Sequence, residues 1–232
     1  MTRNEIRLDF ERETRLGFAE AALCAQKSVA QIAEILRQAG EARTPFLLTR
    51  LDENKYAALP EEWRDALDYH TPSRTAFFGF EPGTRTNPGV AVVTAGTSDA
   101  GPAHEALRTL EFNHIATTPV FDVGVAGLWR LMERVDEIAR HPVVIAVAGM
   151  DAALPSVIGG LVPGSVIALP TSAGYGISRD GETALNACLA SCAPGITVCN
   201  IDNGYGAACA AIRSLRAMRM VAERSSGARA AE

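Results

Sequence analysis

Aromatic residues are scarce in this chain, 6% of 232 positions, and there are only four histidines. No long basic run is present, so a nucleic-acid backbone is not the expected partner. No apolar run approaches the ~18 residues of a membrane span. The start, MTRNEIRLDFERE, is charged and lacks the apolar centre of a secretory leader. HExxH, CxxC and GxSxG are all missing, which leaves a zinc site or a Ser-His-Asp triad without support. The five cysteines (Cys24, Cys188, Cys192, Cys199 and Cys209) are odd in number and not spaced for zinc. They read as free thiols in a reducing, cytoplasmic setting.

What is present is an ordinary globular balance, 47% apolar and 21% charged, with a net charge of -5. Such a chain can fold as one large domain, or as a small one and a medium one. Residues 3–20 are charged and read as a helix or an arm. Ser28 and Gln31 form a capping-box pattern; Val29, Ile32, Ala33 and Leu36 follow at helical spacing, and Gly40 is read as the stop. Phe46–Thr49 and Thr75–Phe78 read as strands. The segment FEPGTRTNPG, Phe80–Gly89, reads as a linker. This predicts a small α/β N-terminal domain over 1–85, a second domain over 86–220, and a frayed tail over 221–232.

The second region is regular. Val90–Thr94, Ile115–Phe121, Val143–Val147, Val166–Leu169 and Ile196–Cys199 read as strands. Helical stripes lie between them: a start at Ser98, Asp99 and Pro102, then Leu128, Leu131, Met132, Val135 and Ile138, then Thr183–Ala190. Tyr205, Cys209, Ile212 and Leu215 stripe a last helix. Strands without polar alternation are buried on both faces, so the prediction is a parallel sheet in a three-layer α/β/α sandwich. Ligands bind such sheets at the carboxyl ends of the strands, where five small-residue loops are expected to meet.

Each loop has two readings. Thr94–Asp99 is an anion cradle or a plain cap and turn. Ala148–Ser156, nearly free of charge, is a wall for a flat ligand or a tight packing joint. Tyr175 in Pro170–Gly176 stacks on a planar ring or lies in solvent. Asp202 and Asn203 are polar site groups or turn residues. His104 and His114 are read as surface or capping groups. Cys192, in SCAPG before the last strand, is a small hydrophobe or a nucleophile.

Five blocks stand in order along the chain: VVTAGTSD (92–99), DVGVAGLWRL (122–131), VAGMDAALPSVIGGL (147–161), PTSAGYG (170–176) and SCAPGITVCNIDNGYGA (191–207). Together they resemble the LarB family and, more distantly, the PurE family of aminoimidazole ribonucleotide carboxylases and mutases. RETRLGFAE (12–20) and Lys27 resemble the LarB start more loosely. The resemblance implies a flavodoxin-like, PurE-like catalytic domain and a homo-oligomer, up to an octamer. It implies carboxylation of nicotinic acid adenine dinucleotide at pyridinium C5, and hydrolysis of its phosphoanhydride. The products are pyridinium-3,5-biscarboxylic acid mononucleotide and AMP, early in nickel-pincer nucleotide biosynthesis. Mg²⁺ is implied as cofactor and CO₂ or bicarbonate as co-substrate. The family's nucleophile maps onto Cys192.

On the same resemblance, Gly96, Thr97, Ser98 and Asp99 would hold a phosphate or carboxylate. Asp122, Asp202 and Asn203 are candidates for ribose, proton transfer or metal. Gly149, Met150, Leu154, Pro155 and Ser156 would wall the pocket, and Tyr175 would cover the ring. The metal ligands stay unassigned. PurE-type histidine motifs align with Asp122–Gly127 and Ala152–Pro155, where no histidine stands. That weighs against the alternative of a PurE-like carboxylase or mutase; a non-catalytic nucleotide binder on this fold is the third reading. The loop Ile177–Glu182 carries Arg179, Asp180 and Glu182 where LarB proteins are apolar, and Ala190 replaces an asparagine. After TAGTSD the chain reads Ala-Gly-Pro-Ala-His-Glu instead of the family's usual Leu-Pro-Val-Ala-Glu-Glu. These departures bear on the choice of substrate.

Overall fold

The computed structural model describes residues 5–229, with two sheets in sequence. The first has four strands, β1 (Ala21–Leu23), β2 (Phe46–Thr49), β3 (Leu67–His70) and β4 (Thr75–Phe78), in the order β1-β2-β4-β3. Helix α2 (Val29–Glu41) covers one face, burying Ile32, Ile35, Leu36 and Ala39. Its capping box forms as the sequence predicts: the Gln31 N–H donates to the Ser28 hydroxyl (3.2 Å), and the Ser28 N–H to the Gln31 side chain (3.0 Å). Gly40 lies inside the helix rather than ending it. Only Arg12–Leu16 (α1) is helical in the charged start, and Gly17 stops it in the left-handed region at φ 80. Two five-residue helices, α3 (Glu53–Ala57) and α4 (Glu61–Asp65), lead into β3.

The second sheet has five parallel strands: β5 (Thr86–Thr94), β6 (Ile115–Val120), β7 (Val143–Ala148), β8 (Ser165–Pro170) and β9 (Thr197–Val198). Their order is β6-β5-β7-β8-β9, the flavodoxin-like arrangement. Alternate residues feed two cores. Val92, Ile145 and Leu169 face α5 (Ala100–Phe112) and α10 (Gly204–Arg229), whose Ala106, Ala207 and Ala211 let the helices lie close. Val93, Ala146 and Ala168 face the other side, with α8 (Ala153–Gly159) and α9 (Glu182–Leu189). The expected sandwich is therefore present.

Three boundaries differ from the sequence reading. The second half of the expected linker belongs to β5, with a register irregularity between Thr86 and Val90. Gly89 is there because a Cβ would collide with the carbonyl of Ala116 on β6. The stripe over 128–138 splits into α6 (Leu128–Met132) and α7 (Val135–Ile138) at a turn where the Arg134 N–H bonds to the Leu131 carbonyl (3.0 Å). Leu131 and Ile138 are buried there, while Leu128, Trp129 and Met132 are exposed. The expected frayed tail is helical through Arg229, as a continuation of α10; residues 230–232 lie outside the described segment.

The two sheets share α5. Phe112 packs on Leu47 and Phe77 of the first sheet. Arg108 stacks over the Phe77 ring at 3.6 Å and pairs with Asp68 at 2.9 Å. The hydroxyl of Thr49 donates to the buried carboxylate of Glu105. His104, read as a surface group, is half-buried between His70 and Phe121, and His114 stacks on Phe80.

Candidate active site

The carboxyl edge of the parallel sheet is built from loops that tie one another down. Thr94, the last residue of β5, is buried; its hydroxyl accepts the Asp122 N–H (3.0 Å) and its carbonyl the Val123 N–H (3.0 Å). This binds the loop after β6 to the loop after β5. Asp99 is 4% exposed, and both of its carboxylate oxygens are taken. One accepts the Gly96 N–H (2.8 Å), the other the Thr171 hydroxyl (2.6 Å). Asp99 therefore staples the β5 and β8 loops together and does not present itself to a ligand. Of the expected cradle, Thr97 and Ser98 are exposed, while Gly96 spends its N–H on Asp99.

Gly149 is a contact between backbones. A Cβ there would run into the Ala173 carbonyl and stand 2.7 Å from the Thr171 hydroxyl. Met150 donates its N–H to that same carbonyl at 2.8 Å and is itself exposed. The rest of the expected wall turns inward. Leu154 is 1% exposed in the core beneath α8, and Pro155 is buried with it. Both are required there because a seven-residue helix has only one face to give to the sheet. Ser156 is half-buried and bonded to the Ser191 hydroxyl at 2.6 Å.

Asp202 holds its loop at φ 52 and accepts the Ser172 N–H at 2.9 Å, while its carbonyl accepts Nη2 of Arg50 at 2.9 Å. Asn203 accepts the Gly206 N–H (2.9 Å), a cap on the first turn of α10. Asp122, at φ 58, pairs with Arg130 at 2.6 Å. Tyr175 is 81% exposed at the crest of its loop. Arg179 and Asp180 beyond it are also exposed and left-handed (φ 45 and 51), so the charges that depart from the family pattern stand in solvent.

A cavity of about 710 Å³ opens at this edge. Ser98, Thr171–Gly174 and Asp202 line one side; Arg50, Asp52 and Arg74 of the first sheet's unit line the other. Glu105 lies at its base, where burial pushes its carboxyl up; the Thr49 hydroxyl, Arg50 and the N–H groups of Tyr205 and Gly204 pull the other way. The sequence reading missed the N-terminal half of this wall. Its one signal was a pair of arginines, Arg50 and Arg74, flanking predicted strands.

Cys192 is separate from that cavity. Its loop runs from α9 to β9, which joins the sheet with Thr197 opposite Ile167, so the thiol lies ahead of the strand rather than beyond it. The loop rests on α8 through Ser191–Ser156 and through Ala193, 3.0 Å from a Cβ placed on Gly159. Cys192 is nonetheless the one exposed cysteine of the five. Burial pushes Cys24 up to about 12, Cys188 and Cys209 up to about 11, and Cys199 upward as well. The structure thus joins Asp99 and Gly149 to Thr171, puts Ser98 and Asp202 with it in the lining of one cavity, and bonds Ser156 to Ser191, the neighbour of Cys192.

Comparison with known families matches both units. The LarB/PurE-like N-terminal domain matches residues 3–79, and AIR carboxylase matches residues 89–229, more than half of the chain. The chain belongs to the LarB family, related to PurE. An uncharacterized protein of Methanocaldococcus jannaschii is 48% identical over 120 residues, 51% of this chain and 46% of that protein. The match thus spans about half the length of that relative. A LarB chain of this kind carries a PurE-like carboxylase domain behind its own N-terminal unit. No helix among the described residues is long and apolar enough to cross a membrane.

Proposed function

We propose that this LarB-family chain carboxylates the pyridinium ring of nicotinic acid adenine dinucleotide and hydrolyses its phosphoanhydride. The observation that carries the reading is the exposure of Cys192 alone among five thiols, within the SCAPG loop. A pyridinium C5 is too electron-poor to attack CO₂. The Cys192 thiolate adds to ring C4, and the displaced electron pair moves onto the ring nitrogen. The N1–C6=C5 unit is then an enamine, and C5 forms a bond to CO₂. Loss of the C5 proton and expulsion of the thiolate restore the aromatic cation. Water then cleaves the anhydride, leaving AMP and pyridinium-3,5-biscarboxylic acid mononucleotide. The five unpaired thiols fit a reducing, cytoplasmic setting.

Among the described residues no three His, Cys, Asp or Glu side chains gather as a metal cage. Mg²⁺ is accordingly proposed as a companion of the substrate phosphates, a common mode for this ion. A homo-oligomer is proposed as well. Leu128, Trp129 and Met132 stand exposed together on α6, and a second copy would cover them. An octamer of the PurE type is the arrangement expected.

The test is to incubate the chain with the dinucleotide, bicarbonate and Mg²⁺. AMP should appear, with a mononucleotide heavier by one carbon dioxide, and Cys192→Ser should abolish the mass gain. Inertness toward this substrate with turnover of aminoimidazole ribonucleotide would move the reading to a PurE-like reaction. Binding without turnover of either would leave a nucleotide-binding protein.

A further inference from the structure

We infer that Arg50 and Arg74, on the N-terminal unit, form with Ser98 a site that grips the phosphoanhydride of a dinucleotide. This rests on the carboxylase reading for the identity of the ligand and on the cavity for the site itself; Cys192 lies outside that cavity, so the dinucleotide has to extend beyond it for its ring to reach the thiol. The cavity, about 710 Å³, is large enough for a nucleotide-sized molecule. Its charged groups are not equivalent. Each of the three carboxylates in its lining is already used by the fold. Asp52 caps α3, accepting the Lys55 N–H at 2.9 Å. Asp202 accepts the Ser172 N–H, and Glu105 is buried against Thr49. The guanidinium of Arg74, by contrast, makes no ion pair or hydrogen bond among the described residues, although the residue is exposed at the cavity. Arg50 is more engaged: it gives Nη2 to the Asp202 carbonyl and its Nε lies 3.9 Å from the Glu105 carboxylate, which leaves Nη1 to donate elsewhere.

The two arginines are also held in place. Both have left-handed backbones, φ 54 at Arg50 and φ 50 at Arg74. The Leu51 N–H donates to the Arg74 carbonyl at 2.9 Å, so the segments that carry them are bonded directly. Arg74 returns its own N–H to Thr71 (3.1 Å), and the Ser73 hydroxyl joins His70 (2.8 Å) and Thr75 (2.7 Å). A turn this thoroughly bonded fixes the backbone from which the Arg74 side chain projects. Two guanidinium groups that line one cavity with the exposed Ser98 match the spread negative charge of a phosphoanhydride.

ADP-ribose tests this, because it carries the anhydride but no pyridinium ring for Cys192 to attack. Calorimetric titration of the full chain should show binding that weakens with salt. Arg74→Gln keeps a Cβ at the strained position and should weaken binding about tenfold to a hundredfold, with the unfolding midpoint unchanged. Arg50→Gln should weaken it as well. No binding by the unaltered chain, or equal binding by the unaltered chain and Arg74→Gln, overturns the site. The two readings fail separately. Arg74-dependent binding of ADP-ribose in a chain that releases no AMP from nicotinic acid adenine dinucleotide leaves the anion site standing and the carboxylase reading lost. Turnover of that dinucleotide with the same KM in Arg74→Gln does the reverse.

Discussion

A carboxyl group at a joint between two packed units has to be satisfied by both, and Glu105 shows what that entails. It accepts from Thr49 of the first sheet and from the start of α10. Glu105→Ala strands those donors out of water and should cost about 1–3 kcal/mol in urea unfolding. Burial holds the Glu105 proton to higher pH in the folded chain than in the unfolded one. Just above the ordinary carboxylate range the folded chain therefore binds more protons, and this group's share of stability falls as pH rises. Glu105→Ala should flatten that slope. Gly149→Ala should cost about 1–3 kcal/mol by overpacking, since its Cβ has only the Ala173 carbonyl and Thr171 hydroxyl to meet. Among the thiols, a single equivalent of a labelling reagent should react quickly at neutral pH. Cys192→Ser should remove that phase, because Cys24 and Cys188 are buried and the half-buried Cys199 and Cys209 have their thiols pushed upward by desolvation.

Single elements carry their own expectations. The Cys192 loop is pinned to α8 by the Ser156–Ser191 bond. Ser191→Ala should cost about 1 kcal/mol and raise amide exchange over residues 191–196 with little change elsewhere. This loop also shows where sequence is informative. β5, β7 and β8 were legible because each carries a short apolar run before a small-residue loop, while β9 keeps only Thr197–Val198 of the expected Ile196–Cys199; β2 and β4 fall where their residues predict. β1, with only three residues, and β3, with a charge at Asp68, carry no such signal. α6 and α7 read as one helix because both halves keep helical spacing, although half of the stripe faces solvent. Asp99 and Asn203 read as site groups because a residue that fixes a loop and one that binds a ligand have the same chemistry; only the bonds to Thr171 and Gly206 tell them apart. The arginine wall was hidden because it requires two distant segments to meet.

At the scale of the whole molecule, the exposed α6 surface is where the proposed oligomer is tested. Trp129 is 65% exposed between two other apolar side chains. Trp129→Glu should lower the mass measured by light scattering at matched concentration, while a chain already monomeric would show no change. The placing of α5 between both sheets has a further consequence, in time rather than in space. Leu47 and Phe77 face Phe112, a residue far downstream of them. On the ribosome the four-stranded sheet therefore emerges with one apolar face bare. At about 5–20 residues per second, that face waits seconds for its cover, the interval in which a chaperone would be expected to bind the nascent chain.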